Sequence, residues 1–321
     1  MVRKIIMGKK NKRGRFWILL VGIPLIIGLL VIGLAFRFWP MLRQPNPAAF
    51  AAKVERDVVF GQAGEVVLKL DIFSPTNAGR AFPVVMYVHG GGWKMGSKSM
   101  LSIIQGPAEL LRRGFAVVAI NYRLAPDYKF PAMLEDAKCA VRFLRSHAKN
   151  FNLDPDHIGA MGDSAGGHLS ALLGLTDSSA GFEGSGGWSN VSSRVQAVVV
   201  LYGPTDFSAH TKPAGKFELS LLRDGFGATG PDDPILQRAS PVTYVSTNAP
   251  PFLILHGDHD SLVSIQQSQE LHAKLQAAGT SSTFVVITNF SHGFTPLGLK
   301  ASPTSEELAK LVADFFDQNL R

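Results

Sequence analysis

Short apolar runs rich in β-branched residues recur between residues 65 and 288 and alternate with stretches of helical character. Residues 65–73 alternate apolar and polar side chains, whereas the later runs are continuously apolar. These are residues 83–89, 115–122, 157–162, 195–203, 251–257 and 283–288. Helical stretches lie near residues 98–112, 133–149, 164–175, 265–278 and 304–320. Continuous runs of this length are typical of parallel strands buried on both faces. The pattern predicts one doubly wound α/β domain that opens with an antiparallel hairpin and carries helices on both faces of a mostly parallel sheet.

Two segments interrupt this alternation. Residues 177–190 are rich in Gly and Ser, which predicts a flexible surface loop. Residues 204–250 are long for a simple connection and contain some helical pattern. They are expected to form either a small lid over a binding site or an ordinary peripheral insertion, and the sequence favours neither.

The net positive charge of the chain is confined to its N-terminus. Residues 1–15 carry seven of the 32 Lys and Arg residues and no acidic residue, so the remaining 25 basic residues balance the 25 acidic ones. A neutral main domain has no basic surface for a phosphate backbone, and no nucleic-acid partner is expected.

An uncharged apolar stretch occupies residues 16–36. As a helix rising 1.5 Å per residue it spans a hydrocarbon core of about 30 Å. The sequence therefore predicts a basic cytoplasmic tail (1–15), a transmembrane signal-anchor helix (16–36), a tether (37–53) and a main domain (54–321) outside the cytoplasm, periplasmic or extracellular. The alternative is a secreted protein whose signal peptide is cleaved. The long apolar region, with no small-residue cleavage site directly after it, favours the anchor.

A G-x-S-x-G motif, GDSAG, runs from Gly162 to Gly166. It follows the apolar run 157–162 and precedes an apolar helical stretch. In this strand–turn–helix context the motif places a serine hydroxyl on a sharp turn, clear of the sheet. Ser164 is therefore the candidate nucleophile.

A glycine cluster, HGGGW at residues 89–93, follows another apolar run. Glycine lets backbone N–H groups point into a cleft with no Cβ in the way, as an oxyanion hole requires. The candidate donors are the amides of Gly91, Gly92 and Ala165. No G-K-[ST] follows the cluster, so a phosphate-binding loop is not favoured.

Two histidines and two aspartates crowd one short loop, residues 256–260. Imidazole and carboxylate groups are suitable metal ligands. Side chains this close in sequence on one loop cannot all converge on one ion, and no second cluster completes the ligand set that a catalytic zinc needs. No metal and no cofactor is expected.

Together these motifs resemble the α/β-hydrolase superfamily, in particular serine esterases and lipases of the hormone-sensitive-lipase-like group. The similarity covers about residues 65–321, and its motifs occur in family order: HGGGW, NYRLAPDYKFPAMLEDA (121–137), GDSAGGH, HGDHDSLV and SHGF (291–294). The LDIFSP run at residues 70–75 is also similar to esterases that deacylate acylated sugars. The short space before the first strand departs from members that build a full N-terminal cap.

The resemblance implies a catalytic triad in the chain order nucleophile, acid, histidine. Ser164 would be the nucleophile and Asp260, the last position of G-x-x-D, the acid. His292 would be the base, because it is the only histidine between the last strand run and the final helix. Asp258 is expected to stabilise its loop. Trp93, which ends the oxyanion motif, is a candidate substrate-binding residue.

The activity implied by the resemblance is that of a serine carboxylesterase acting on a small-molecule ester, often with a short acyl chain. The sequence does not define an oligomeric state. Two alternatives stay open: an amidase or peptidase that uses the same triad, and a catalytically inactive binding protein on the hydrolase fold. An inactive protein is expected to have lost a triad residue or an oxyanion glycine, and this sequence retains all of them.

Overall fold

Eight strands form one sheet in the computed structural model, which describes residues 46–76, 79–103, 106–207, 216–297 and 302–321. The strands are β1 Lys53–Ala63, β2 Val66–Ser74, β3 Phe82–Val88, β4 Ala116–Ile120, β5 Leu153–Asp163, β6 Ala197–Leu201, β7 Phe252–Gly257 and β8 Ser282–Ile287. They lie in the order β1-β2-β4-β3-β5-β6-β7-β8. The β1–β2 and β2–β4 pairs are antiparallel, and the other neighbouring pairs are parallel. The predicted mostly parallel α/β sheet is confirmed.

Helices cover both faces of this sheet. They are α1 Pro107–Arg112, α2 Ala132–Ser146, α3 Ala165–Leu175, α4 Lys216–Phe226, α5 Pro234–Ala239, α6 Ile265–Ala277 and α7 Ser305–Asn319. The side chains of β3 alternate between two buried clusters. Met86 packs in the cluster that includes residues of α2, α3 and α6, and Tyr87 in the cluster that includes α1 and α7. Burial on both faces explains why the central strands are continuously apolar.

The helix predicted at residues 98–112 is wrong as a continuous element. A 3-10 turn covers Lys98–Ile103, and α1 starts only at Pro107. Gly106 has a φ of 109°, outside the helical region. A proline disfavours helical dihedrals in the residue before it and is itself tolerated in the first helical turn, so the helix restarts at Pro107.

Within the described ranges no helix is both long and apolar enough to cross a membrane. The basic tail (1–15) and the signal anchor (16–36) lie outside those ranges, so both stay predictions. The described residues belong to a unit that extends from Pro45 to Arg321. A 3-10 turn at Pro47–Ala49 falls within the segment that the sequence assigns to the tether.

The Gly- and Ser-rich segment 177–190, expected to be flexible, is held against the domain by buried charge. Glu183 accepts a hydrogen bond of 3.0 Å from the Lys138 ammonium and pairs with the Arg142 guanidinium. The side chains of Lys138 and Arg142 are 0% and 2% exposed, so Glu183 is the carboxylate that compensates two cations withdrawn from water. An isolated buried charge is costly, which fixes this segment in place.

We expect Glu183→Gln to destabilise the fold by about 3 kcal/mol, the lower end of the range for breaking a buried ion pair, because Glu183 is itself 31% exposed. The matched control is Glu270→Gln, which breaks a surface pair with Lys274 and is expected to cost less than about 1 kcal/mol. Urea unfolding monitored by tryptophan fluorescence measures both free energies. Equal losses would contradict the proposed anchoring of the segment.

Candidate active site

The turn between β5 and α3 carries Ser164 in a strained conformation. Its φ is 50° and its ψ is −118°, and its backbone N–H donates to the carbonyl of Leu201 at 2.8 Å. A Cβ built on Gly166 would lie 2.0 Å from the carbonyl oxygen of Val88 in β3, so only glycine allows α3 to approach the sheet this closely. Strain of this kind costs about 1–3 kcal/mol and is typical of functional turns.

The structure brings Ser164, His292 and Asp260 into one chain of hydrogen bonds. His292 Nε2 lies 3.0 Å from Ser164 Oγ, and His292 Nδ1 lies 2.8 Å from Asp260 Oδ2. Ser164 follows β5, Asp260 follows β7, and His292 lies after β8, so the carboxyl ends of these parallel strands deliver all three side chains to one edge. The His292 side chain is 21% exposed and that of Asp260 is fully buried.

The two aspartates of the loop at residues 256–260 have different hydrogen-bond partners. Asp260 Oδ1 accepts hydrogen bonds from the backbone N–H groups of Leu262 and Val263, each at 2.9 Å. Burial alone would raise the pKa of Asp260, but the hydrogen bonds from His256 and His292 hold it well below its usual range. The carboxylate is therefore ionised at neutral pH.

Asp258 has other hydrogen-bond partners. Its carboxylate accepts a hydrogen bond of 2.6 Å from Nδ1 of the exposed His259 and one of 3.4 Å from the Phe290 N–H. Backbone bonding of this type suits the loop-stabilising role expected for Asp258. The four polar residues of the loop do not converge on one point, and among the described residues no group of His, Cys, Asp and Glu side chains has a metal-binding arrangement.

The glycine loop after β3 leaves backbone donors available. Gly91 and Gly92 have φ values of 114° and 60°, which favour glycine. Within the described residues neither amide donates a hydrogen bond to another protein group. The amide of Ala165 is the first of α3 and lacks an intrahelical acceptor. Their role as an oxyanion hole remains a prediction that this geometry favours.

Asp163, which the motif reading did not single out, ties the glycine loop to the nucleophile turn. Its Oδ1 accepts hydrogen bonds from the Tyr87 hydroxyl at 2.7 Å and the Gly90 N–H at 3.0 Å. Burial raises the pKa of this carboxyl group. An acidic residue at the end of a strand buried on both faces is the signal that would have found it, because such a side chain needs partners.

Trp93, predicted to bind substrate, is only 4% exposed. Its indole N–H donates to His168 Nδ1 at 3.1 Å, and His168 Nε2 lies 2.7 Å from the carbonyl of Ala239. Nδ1 is thus an acceptor and Nε2 carries the proton. Burial lowers the pKa of His168 to about 4, which keeps the ring neutral at pH 7. Trp93, at the end of the glycine loop, is therefore buried and bonded to α3 through His168. A contact of Trp93 with substrate stays a prediction.

Part of the long insertion lies against the same loop. Leu221 of α4 has its Cδ2 atom 3.2 Å from the position that a Cβ would take on Gly92. Asp224, also in α4, forms a 2.7 Å ion pair with Lys94. Contacts with the glycine loop favour a lid over the alternative of an insertion remote from the site.

Tyr202 is a further site residue that no sequence motif marked. Its ring lies edge to face with His292, with 4.9 Å between the ring centroids. Its φ of 41° is unusual for an aromatic residue, and its N–H donates to the carbonyl of Leu255 at 2.8 Å. The strained backbone places the ring where it limits the movement of the histidine.

The sheet order, the serine on a strained strand–helix turn and the residues hydrogen-bonded to it define a protein of the α/β-hydrolase fold, and the expected superfamily resemblance is confirmed. Within that fold the chain belongs to the BD-FAE family, whose model matches residues 70–275.

Curated relatives carry esterase names. Esterase LipC of Mycobacterium tuberculosis is 34% identical over 71% of this chain and 57% of its own length. Probable carboxylic ester hydrolase LipM of the same organism is 34% identical over 73% of this chain and 54% of its own length. The chain therefore spans little more than half the length of these two relatives.

A similar solved structure is a truncated carbohydrate esterase from gut microbiota. It superimposes with a TM-score of 0.70 at 29% identity, covering 84% of this chain and 96% of that one. The two proteins therefore share the same fold over most of this chain.

Proposed function

We propose that this protein is a serine carboxylesterase. The observation that carries the proposal is the hydrogen-bond chain from Ser164 through His292 to Asp260. The amides of Gly91 and Gly92, which donate to no other protein group within the described residues, support it. A nucleophile within reach of a base, and a base oriented by a buried acid, is the arrangement that acyl transfer needs. The names of LipC and LipM support ester hydrolysis as the reaction.

The proposed reaction passes through an acyl-enzyme. Ser164 Oγ attacks the ester carbonyl carbon while His292 Nε2 takes the hydroxyl proton, and Asp260 stabilises the imidazolium through Nδ1. The amides of Gly91, Gly92 and Ala165 hold the oxyanion. His292 then returns the proton to the leaving alcohol, and water attacks the acyl group by the same steps in reverse. Loss of one backbone N–H donor to the oxyanion is expected to lower the rate by about 10²–10³-fold.

Esters with short acyl chains are the proposed substrates. Leu221 occupies the space directly over Gly92, so a carbonyl group bound at the glycine amides has an apolar wall beside it. α4 then acts as the lid of this site. Acylated carbohydrates are one candidate class, because a similar solved structure is named a carbohydrate esterase. The mechanism uses no metal or cofactor.

The test of the reaction is covalent labelling with a fluorophosphonate followed by a substrate panel. We expect label on Ser164 in the wild type and none in Ser164→Ala, because the reagent reacts with an activated serine. Turnover of p-nitrophenyl acetate, butyrate and octanoate is expected to fall with chain length and to exceed that of matched p-nitroanilides. An unlabelled Ser164 would show an inactive binding protein, and faster anilide cleavage would show an amidase.

Asp260→Asn is expected to lower kcat by about 10⁴-fold, because the amide cannot hold the productive histidine tautomer or stabilise the imidazolium. Asp258→Asn is the matched control from the same loop. It is expected to lose far less, since its carboxylate contacts His259 and the backbone rather than His292. Steady-state kinetics on p-nitrophenyl butyrate compares the two. A larger loss in Asp258→Asn would mean that the acid is assigned wrongly.

We further propose that residues 16–36 anchor a catalytic domain, residues 54–321, at the outer face of a membrane, with residues 1–15 in the cytoplasm and residues 37–53 as the tether. The uncharged stretch and the basic residues before it support this orientation. The full chain is expected to sediment with membranes and to stay there after an alkaline carbonate wash, whereas a chain starting at residue 45 is expected to stay soluble. Soluble protein that lacks residues 1–36 would instead indicate a cleaved signal peptide.

A further inference from the structure

His256 faces the same carboxylate oxygen as the proposed base. It is the next-to-last residue of β7. Its Nε2 atom lies 3.2 Å from Asp260 Oδ2, the oxygen that also lies 2.8 Å from His292 Nδ1. The side chains of His256 and Asp260 are both fully buried. Two imidazoles thus converge on one oxygen of the proposed catalytic acid, and the reaction as proposed uses only one of them.

The partners of His256 determine where its proton lies. Nε2 is also 2.9 Å from the carbonyl oxygen of Val263. A carbonyl and a carboxylate both accept hydrogen bonds, so Nε2 must carry the hydrogen and share it between them. Nδ1 lies 2.7 Å from Ser268 Oγ in α6, which is the second hydrogen-bond partner of the ring. Both ring nitrogens of the imidazole thus have partners, and Nε2 faces the Val263 carbonyl at 2.9 Å and Asp260 Oδ2 at 3.2 Å.

Together with His256, both carboxylate oxygens of Asp260 have two partners each. Oδ1 accepts hydrogen bonds from the N–H groups of Leu262 and Val263, and Oδ2 lies 2.8 Å from His292 Nδ1 and 3.2 Å from His256 Nε2. The two backbone bonds hold one oxygen, while the orientation of the other decides the direction of the bond to His292. Because β7 fixes the position of His256, its N–H holds Oδ2 on a rigid element of the sheet.

We infer that His256 is a positioning residue that orients the Asp260 carboxylate for its hydrogen bond to His292. The inference rests on the proposed esterase function. His256 acts through Asp260 and does not touch the substrate. An error of about 1 Å in the placement of a catalytic group can lower the rate by about 100-fold. Loss of the contact that orients the Asp260 carboxylate is therefore expected to lower kcat measurably.

The experiment compares two replacements of His256 that have similar length, one without and one with a hydrogen-bond donor. In His256→Met the side chain fills the space and cannot donate, and we expect kcat on p-nitrophenyl butyrate to fall about 10- to 100-fold with little change in KM. In His256→Gln the amide nitrogen reaches the place of Nε2, and we expect most of kcat to return. His272→Met is the control, because His272 Nδ1 similarly faces a serine, Ser282 Oγ at 2.9 Å, away from Asp260. Its kcat is expected to equal that of the wild type.

Thermal unfolding of each variant separates positioning from folding. A purely structural role predicts that His256→Met and His256→Gln lose activity and stability together, and that result would overturn the inference. If His256→Met does not fold, His256→Asn replaces it, since its short amide reaches only the Nδ1 side that faces Ser268. Equal kcat in His256→Asn and His256→Gln would likewise overturn it.

Wild-type turnover and the Ser164→Ala variant are measured in the same series. An inactive wild type would remove the proposed esterase function, and the role of His256 with it. An active wild type whose His256→Met variant is equally active would remove only the role of His256.

Discussion

The carbonyl oxygen of Val88 lies 2.0 Å from the position that a Cβ would take on Gly166, so only glycine allows α3 to lie this close to β3. Ser164, two residues earlier, lies in the turn between β5 and α3 with a φ of 50°. The same approach brings Asp163 against Gly90, so that its carboxylate accepts the Gly90 amide. The turn that carries Ser164 and the glycine loop after β3 are therefore packed together through Gly166 and bonded through Asp163.

The parallel sheet supplies the rest of the geometry. Neighbouring parallel strands end at the same edge, so the residues after β5, β7 and β8 meet although they lie far apart in the chain. Two residues of the hydrogen-bond chain, His292 and Asp260, are held by further contacts. Tyr202 packs on the His292 ring from a residue with φ of 41°, and Asp260 is bonded to backbone amides three residues away or fewer. Rigid supports of this type keep the hydrogen-bond chain assembled before substrate binds.

Sequence reasoning found the sheet, seven of its eight strands and the residues of the hydrogen-bond chain, because each depends on local pattern and on chain order. It did not find β1, Lys53–Ala63. The apolar runs identified the buried strands, and the glycines around Ser164 identified the turn. It missed what depends on contacts between distant segments. The anchoring of residues 177–190 depends on Lys138 and Arg142, two cations of α2 that no local pattern connects to Glu183. The partners of Asp163 and the contact of Tyr202 with His292 are likewise products of folding.

Three histidines near the site differ in their hydrogen-bond partners and therefore in their roles. His168 accepts from an indole and donates to a carbonyl, and burial lowers its pKa to about 4, so it behaves as a neutral spacer. His256 bonds to a hydroxyl through Nδ1, and its Nε2 faces the carbonyl of Val263 and the carboxylate of Asp260. His292 also lies between a carboxylate and a hydroxyl, but among the three it is the only ring that is partly exposed. The proposed proton transfer requires an imidazole next to the Ser164 hydroxyl, and of these three histidines only His292 lies there.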